Sequence, residues 1–168
     1  FSMAAGGKGA NQATAAARAG GHVTFIARVG DDLFGNQSRK GFRRDGIDIA
    51  YVETDTRVPS GIALIVVDEN GENSIAVASG ANAELTPSDV AKARDAIAAA
   101  DILLVQLEVP LHTVRAAVEM AVAAGVRVIL NPAPAQPIDG DLLSLVSIIT
   151  PNEIETELLT GVKLSNDA

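Results

Sequence analysis

The chain has 168 residues, 48% of them apolar and 20% charged, enough for a compact domain with its own core. Its net charge is −8, with acidic residues spread along the chain and no basic stripe, so nucleic acid and anionic membrane surfaces are poor partners. Cysteine is absent, which removes disulfides and cysteine-ligated metals and is compatible with a cytosolic setting, and no apolar run reaches membrane-spanning length.

Near the start, Gly6-Gly7-Lys8-Gly9-Ala10-Asn11-Gln12-Ala13 runs into an alanine-rich segment ending at Gly20. The glycines let backbone approach a small ligand closely. Residues 13–19 predict a helix, and Gly20 suits a left-handed stop. The loop then lies at a helix N-terminus, where free N–H groups favour an oxygen-rich ligand. Lys8 adds a cation and Asn11 an amide, a seat suited to a polyhydroxylated molecule. The equal alternative is a glycine-rich turn with Asn11 as a local cap. A dinucleotide fingerprint would need glycine at Gln12, and a Walker A loop would need Ser or Thr where Gly9 follows Lys8.

Residues 23–29 read as a strand. Asp31 and Asp32 then cap a helix over residues 33–44 that Gly46 closes, a reading preferred to a catalytic carboxylate pair. Residues 47–58 are extended. The runs 61–67 and 74–78 around Asn70-Gly71 predict a β-hairpin. Alternation puts Ala63 and Ile65 on one face of its first strand and Ile75 and Val77 on one face of its second, positions that by themselves read as core. Thr86, Pro87 and Asp89 open a helix running to about Ala100. Strands at 102–107, 126–130 and 147–150 then alternate with helices at 111–124, near 141–145 and 152–159, the last stopped by Gly161. Such alternation predicts an α/β fold with a parallel sheet.

Ligands of parallel sheets bind beyond the C-terminal strand ends. Gln106-Leu107-Glu108, Asn131-Pro132-Ala133-Pro134 and Thr150-Pro151-Asn152-Glu153-Ile154-Glu155 fall there. Asn152 and Glu155 stand three apart, as a helix cap and first-turn acid or as ligand-binding groups.

The glycine-rich stretch from Gly6 to Ala13 resembles the sugar-binding signature of the PfkB, or ribokinase, family of carbohydrate kinases. Val29-Gly30-Asp31-Asp32 with Gly35, Gly71-Glu72-Asn73 with Gly80-Ala81-Asn82, Gln106-Leu107-Glu108, Leu130-Asn131-Pro132-Ala133-Pro134-Ala135 and Ile149-Thr150-Pro151-Asn152-Glu153 follow in family order, so the likeness covers the whole chain. It implies a ribokinase-like α/β fold, a parallel central sheet flanked by helices with a small β lid. Residues 1–168 would form an incomplete domain, with lid strands inserted at about 48–80.

The implied activity is ATP-dependent phosphorylation of D-ribose to D-ribose 5-phosphate. The alternatives are fructokinase or 2-keto-3-deoxygluconate kinase activity, or a non-catalytic sugar-binding remnant. Gly6, Gly7, Lys8, Asn11 and Glu108 would bind the sugar, and Ala63, Ile65 and Val77 would be apolar lid contacts rather than core. Asn152 would lie near the nucleotide phosphates, and Glu155 would hold Mg2+ through water. The resemblance also implies K+ or another monovalent cation, a homodimer through the lid and a cytoplasmic location. The family's first strand and its Gly-Ala-Gly-Asp element have no counterpart here. The catalytic base is therefore expected beyond Ala168 and the adenine pocket and monovalent-cation loop outside this chain, and the 168-residue chain by itself is expected not to phosphorylate ribose.

Overall fold

A computed structural model describes residues 4, 6–67 and 73–163. The expected hairpin turn at 68–72 and the opening residues 1–3 lie outside them. The chain divides into two compact units, one running to Gln12 and resuming at Thr86, the other spanning Ala13–Leu85. Helix α1 (Lys8–Arg18) carries the boundary. It begins five residues before the expected 13–19 helix, so Gly9 to Gln12 are helical rather than loop. Glycine's intrinsic cost in a helix is about 1 kcal/mol against alanine, small enough for the surroundings to override.

In the first unit, β5 (Ile102–Val105), β6 (Arg127–Leu130) and β7 (Ile148–Ile149) form a parallel sheet in chain order. Helix α5 (Leu111–Ala123) links β5 to β6 and α6 (Gly140–Ser144) links β6 to β7, the βαβ pattern expected. On α5, Val114, Ala117, Val118 and Ala121 recur at helical spacing and are buried, packed towards β6 and towards α3 (Pro87–Lys92) and α4 (Arg94–Ala98). Val118 and Val128 are fully buried, each stabilising the unit by roughly 1.5–3 kcal/mol.

The expected single helix from Thr86 is two. Its start is as read: the Thr86 side chain caps Asp89, and the Asp89 carboxylate bonds back to Thr86. At Ala93 the N–H turns to Val90 O at 2.9 Å, a tighter three-residue bond that ends α3, and Ala93 is fully buried there. Helix α7 (Glu153–Thr160) is capped by Asn152 and stopped by Gly161 at φ +70, as read from the sequence.

In the second unit, β1 (Thr24–Gly30) and β2 (Asp48–Asp55) pair in parallel across α2 (Leu33–Arg44). Phe25 and Phe42 meet edge to face with ring centres 5.2 Å apart, over a core that includes Ile47, Ile49 and Val52. Asp32 alone caps α2, and Asp31 is not a second cap: its N–H continues the ladder to Asp55 O. One Asp32 oxygen accepts from Gly35 N–H and Ser60 Oγ, each at 2.8 Å, and the other from Ser60 N–H at 2.7 Å. This carboxylate is a structural latch, and no paired-carboxylate site is built around it.

Strands β3 (Ile62–Val67) and β4 (Asn73–Ala78) form the antiparallel hairpin. Ala63 faces Val77 and Ile65 faces Ile75, as alternation required. The core reading of these positions fails: Ile65, Ile75 and Val77 are 60%, 53% and 70% exposed.

Buried Asp55 pairs with Arg28 at 2.9 Å and accepts the N–H groups of Arg57 and Val58 at 2.8 and 3.0 Å. Those backbone donors, with Arg28 behind them, hold its carboxyl below the usual range, and the Gly35 and Ser60 donors lower that of Asp32. Both values fall on folding, so the folded chain takes up these protons less readily than the unfolded chain. The stability they contribute is complete above about pH 4 and is lost as pH falls through the lower folded values. Denaturant unfolding at stepwise lower pH is expected to weaken more steeply below about pH 4 in the parent than in Asp55→Asn. Parallel curves would refute the assignment.

Candidate functional site

The first unit gathers its polar groups at the C-terminal ends of β5, β6 and β7. Helix α1 starts there with no acidic residue in its first turn. The missing anion comes from far away in sequence: Glu108, in the loop after β5, accepts the Lys8 N–H on Oε2 at 2.6 Å. A carboxylate on a helix N-terminus satisfies an orphan donor and answers the dipole, and a charge-assisted bond is stronger than a neutral one. Gly7 precedes Lys8 at φ +96, and its carbonyl accepts the first helical bond, from Asn11 N–H at 2.9 Å. A Cβ on Gly7 would stand 3.6 Å from Glu108 Oε2, an ordinary contact, so it is the left-handed turn rather than space that calls for glycine here.

A second set of contacts was not legible in advance. Gln106 Nε2 donates to Gln12 Oε1, Gln12 Nε2 donates to Asn131 Oδ1 at 3.2 Å, and Asn131 Nδ2 donates to Thr150 O at 3.0 Å. These carboxamides cross the ends of all three strands. Backbone bonds brace the same loops: Asn131 N–H to Val105 O, and Leu107 N–H to Ala133 O, each at 2.9 Å. The peptide between Ala133 and Pro134 is cis.

The structure thus brings Gly7, Lys8 and Glu108 together, with Gly6 exposed beside them and Asn11 exposed on α1. It does not make Asn11 a cap, since Asn11 is inside the helix. Asn152 and Glu155 meet at the start of α7. Asn152 Oδ1 accepts Glu155 N–H at 2.8 Å, while the Glu155 carboxylate accepts Asn152 N–H at 2.9 Å and Nδ2 at 3.1 Å. This reciprocal cap realises the structural reading of both residues, and Glu155 is buried within it. Ala63, Ile65 and Val77 belong to the other unit, on one face of the β3–β4 hairpin. That unit also holds a concavity of about 270 Å³ lined by Leu33, Phe34, Pro59, Ile62 and Ala78, where the Asp32 carboxylate is already engaged.

Asn131 lies in a strand-end feature the sequence pointed to without a role of its own, and Gln12 stands inside the glycine-rich motif with no role assigned to it. The available signal was spacing: Gln12 lies one helical turn beyond Lys8 and so shares its face.

A parallel α/β unit with polar groups gathered at its C-terminal strand ends has the architecture in which proteins of this class bind small molecules. The chain belongs to the pfkB family of carbohydrate kinases, whose profile matches residues 1–168. It is 47% identical over 167 residues to a ribokinase of Haemophilus influenzae, covering 99% of this chain and 55% of that protein. A ribokinase of Staphylococcus aureus is 46% identical over 162 residues, covering 96% and 53% respectively. Among solved structures, the Arabidopsis thaliana ribokinase complexed with ribose and ATP matches with TM-score 0.85 at 31% identity, over 96% of this chain and 53% of that one. The chain spans about half the length of the curated relatives it matches.

Proposed function

We propose that the full-length protein transfers the γ-phosphoryl group of ATP to the 5-hydroxyl of D-ribose, giving D-ribose 5-phosphate. The observation that carries this reading is Glu108 on the Lys8 N–H. A bare glycine-rich helix N-terminus would suit a phosphate, but one already holding a carboxylate repels anions. It suits a neutral polyol, whose hydroxyls donate to the carboxylate and accept from donors such as the Lys8 ammonium and the Asn11 amide. Gly6 and Gly7 keep backbone close to that ligand. The relatives' identity to this chain supports ribose in particular.

Asn152 and Glu155 are proposed to serve the nucleotide end. Among the described residues no cluster of three or more His, Cys, Asp or Glu forms a metal cage. That fits Mg2+, which keeps most of its waters and takes few protein ligands. Glu155 accepts from Asn152 on both oxygens yet retains lone pairs for water, so it fits an ion held indirectly. When bound, Mg2+ would neutralise charge on the transferring phosphates. Asn152, held by Glu155, would direct its remaining polarity towards the phosphates. A monovalent cation such as K+ belongs to the proposal with no residue assigned to it.

Ala63, Ile65 and Val77 are proposed as the apolar face of a lid closing over the sugar and joining two copies in a homodimer. Their exposure supports an unfilled role in contact. Closure would exclude water, which otherwise competes with the sugar for the phosphoryl group. With ATP as co-substrate, the reaction is placed in the cytoplasm.

Steady-state assays of the full-length protein with ribose, 2-deoxyribose, fructose and 2-keto-3-deoxygluconate test this. Ribose is expected to lead in kcat/KM by at least ~10-fold. A preferred hexose would overturn ribose as the substrate, and sugar binding without ADP release would replace the kinase by a binding protein.

A further inference from the structure

We propose that the carboxamide chain Gln106–Gln12–Asn131 positions the sugar site, by fixing the rotation of α1 so that Lys8 meets Glu108; this rests on the sugar-kinase reading above. The polarity of the chain follows from its end. Thr150 O only accepts, so Asn131 must present Nδ2 to it and Oδ1 to Gln12. Gln12 must then donate through Nε2 and accept through Oε1, and Gln106 must donate. Every bond has one workable direction. Gln12 sits one turn from Lys8 on the same face, so a tie at Gln12 sets the azimuth at which Lys8 N–H points. Gln106 lies two residues before Glu108, so the same relay ties the strand end that carries the carboxylate. The three amides are half-buried, where an unmatched polar pair is costly. None of them needs to touch the sugar; each acts through Lys8 and Glu108.

Gln12→Glu tests this with almost no change in shape. As a carboxylate, residue 12 still accepts from Gln106 but sets oxygen against Asn131 Oδ1, breaking the relay. In full-length protein it is expected to raise the KM for ribose about 10-fold or more, with the KM for ATP within ~3-fold and folding retained. Protonation restores the pattern, since a carboxylic acid donates through O–H and accepts through its carbonyl. The variant's ribose KM is therefore expected to move towards the parent's as pH falls from about 7 to about 4.5, into the ordinary range of a glutamate carboxyl, a recovery a merely structural defect would not show. Lys8 and Glu108, the charged groups beside it on α1 and after β5, are common to both proteins, so the parent profile is subtracted. Gln106→Glu, which sets oxygen against Gln12 Oε1, serves if Gln12→Glu fails to fold, and the same rise in ribose KM is expected. An unchanged ribose KM in a folded variant, or equal changes in the KM for ribose and ATP without pH recovery, would overturn the positioning role while leaving the kinase reading intact. A parent that turns over no sugar removes both.

Discussion

Glu108→Gln in the full-length protein is expected to raise the KM for ribose roughly 10- to 100-fold while leaving that for ATP within about threefold. The change keeps the side chain's shape and removes its charge. A hydrogen bond to a charged group contributes about 1.5–3 kcal/mol against about 1 for a neutral pair, and Glu108 is proposed to make such bonds to Lys8 N–H and to the sugar. A glutamine oxygen can still take the Lys8 N–H. Its NH2 then faces the ligand where an acceptor was, so the sugar loses a charge-assisted partner. The change also removes the anion answering the α1 dipole, worth about 0.3–1 kcal/mol, so a small fall in Tm is expected alongside. Sugar and ATP titrations of initial rate separate the two substrates. An unchanged ribose KM would show that Glu108 serves only as a remote cap for α1.

Gly35→Ala is expected to destabilise the fold by on the order of 3 kcal/mol or more, whereas Gly41→Ala on the same helix is expected to stabilise it by about 0.5–1 kcal/mol. At Gly35 a Cβ would stand 2.1 Å from Gly30 O and 3.0 Å from Ser60 Oγ. Retreat is blocked on every side. Gly30 N–H donates to Ser60 Oγ at 2.9 Å, and Gly35 N–H and Ser60 are both held by Asp32. Relieving the clash therefore breaks the latch that joins the start of α2 to the end of β1. At Gly41 a Cβ meets nothing within 4 Å, and alanine gains helix propensity. With about 2–4 °C per kcal/mol for a domain of this size, thermal unfolding should separate the variants by on the order of 10 °C. Equal unfolding temperatures would mean that the two backbones do not pack as described.

These expectations draw on different depths of the molecule. The Leu33–Arg44 helix with its Asp32 cap and the Asn152 start and Gly161 stop of α7 were readable because their determinants lie within a few residues of each other. Capping and left-handed stops are local chemistry. The hairpin's facing pairs were readable too, since strand alternation sets them. Whether that face was buried was not readable, because alternation says which side chains share a side and nothing about what covers them. The break at Ala93 was invisible for a related reason: alanine there has excellent helix propensity, and the turn is seen only in its N–H shifting to Val90 O.

The same division runs through the site. Sequence alone determined the α/β class, the family resemblance, and the residue types placed at strand ends, because each follows from short-range order and repeated periodicity. It could not determine that Glu108 would sit on the Lys8 N–H, 100 residues away, or that Gln12 would link Gln106 to Asn131 across 94 and 119 residues. Those partners meet only when β5, β6 and β7 lie side by side, and a hydrogen bond selects its partner by distance in space. Tertiary structure therefore decided which of several polar residues came together as a candidate site, and why α1 begins at Lys8 within a glycine-rich run that local propensity reads as loop.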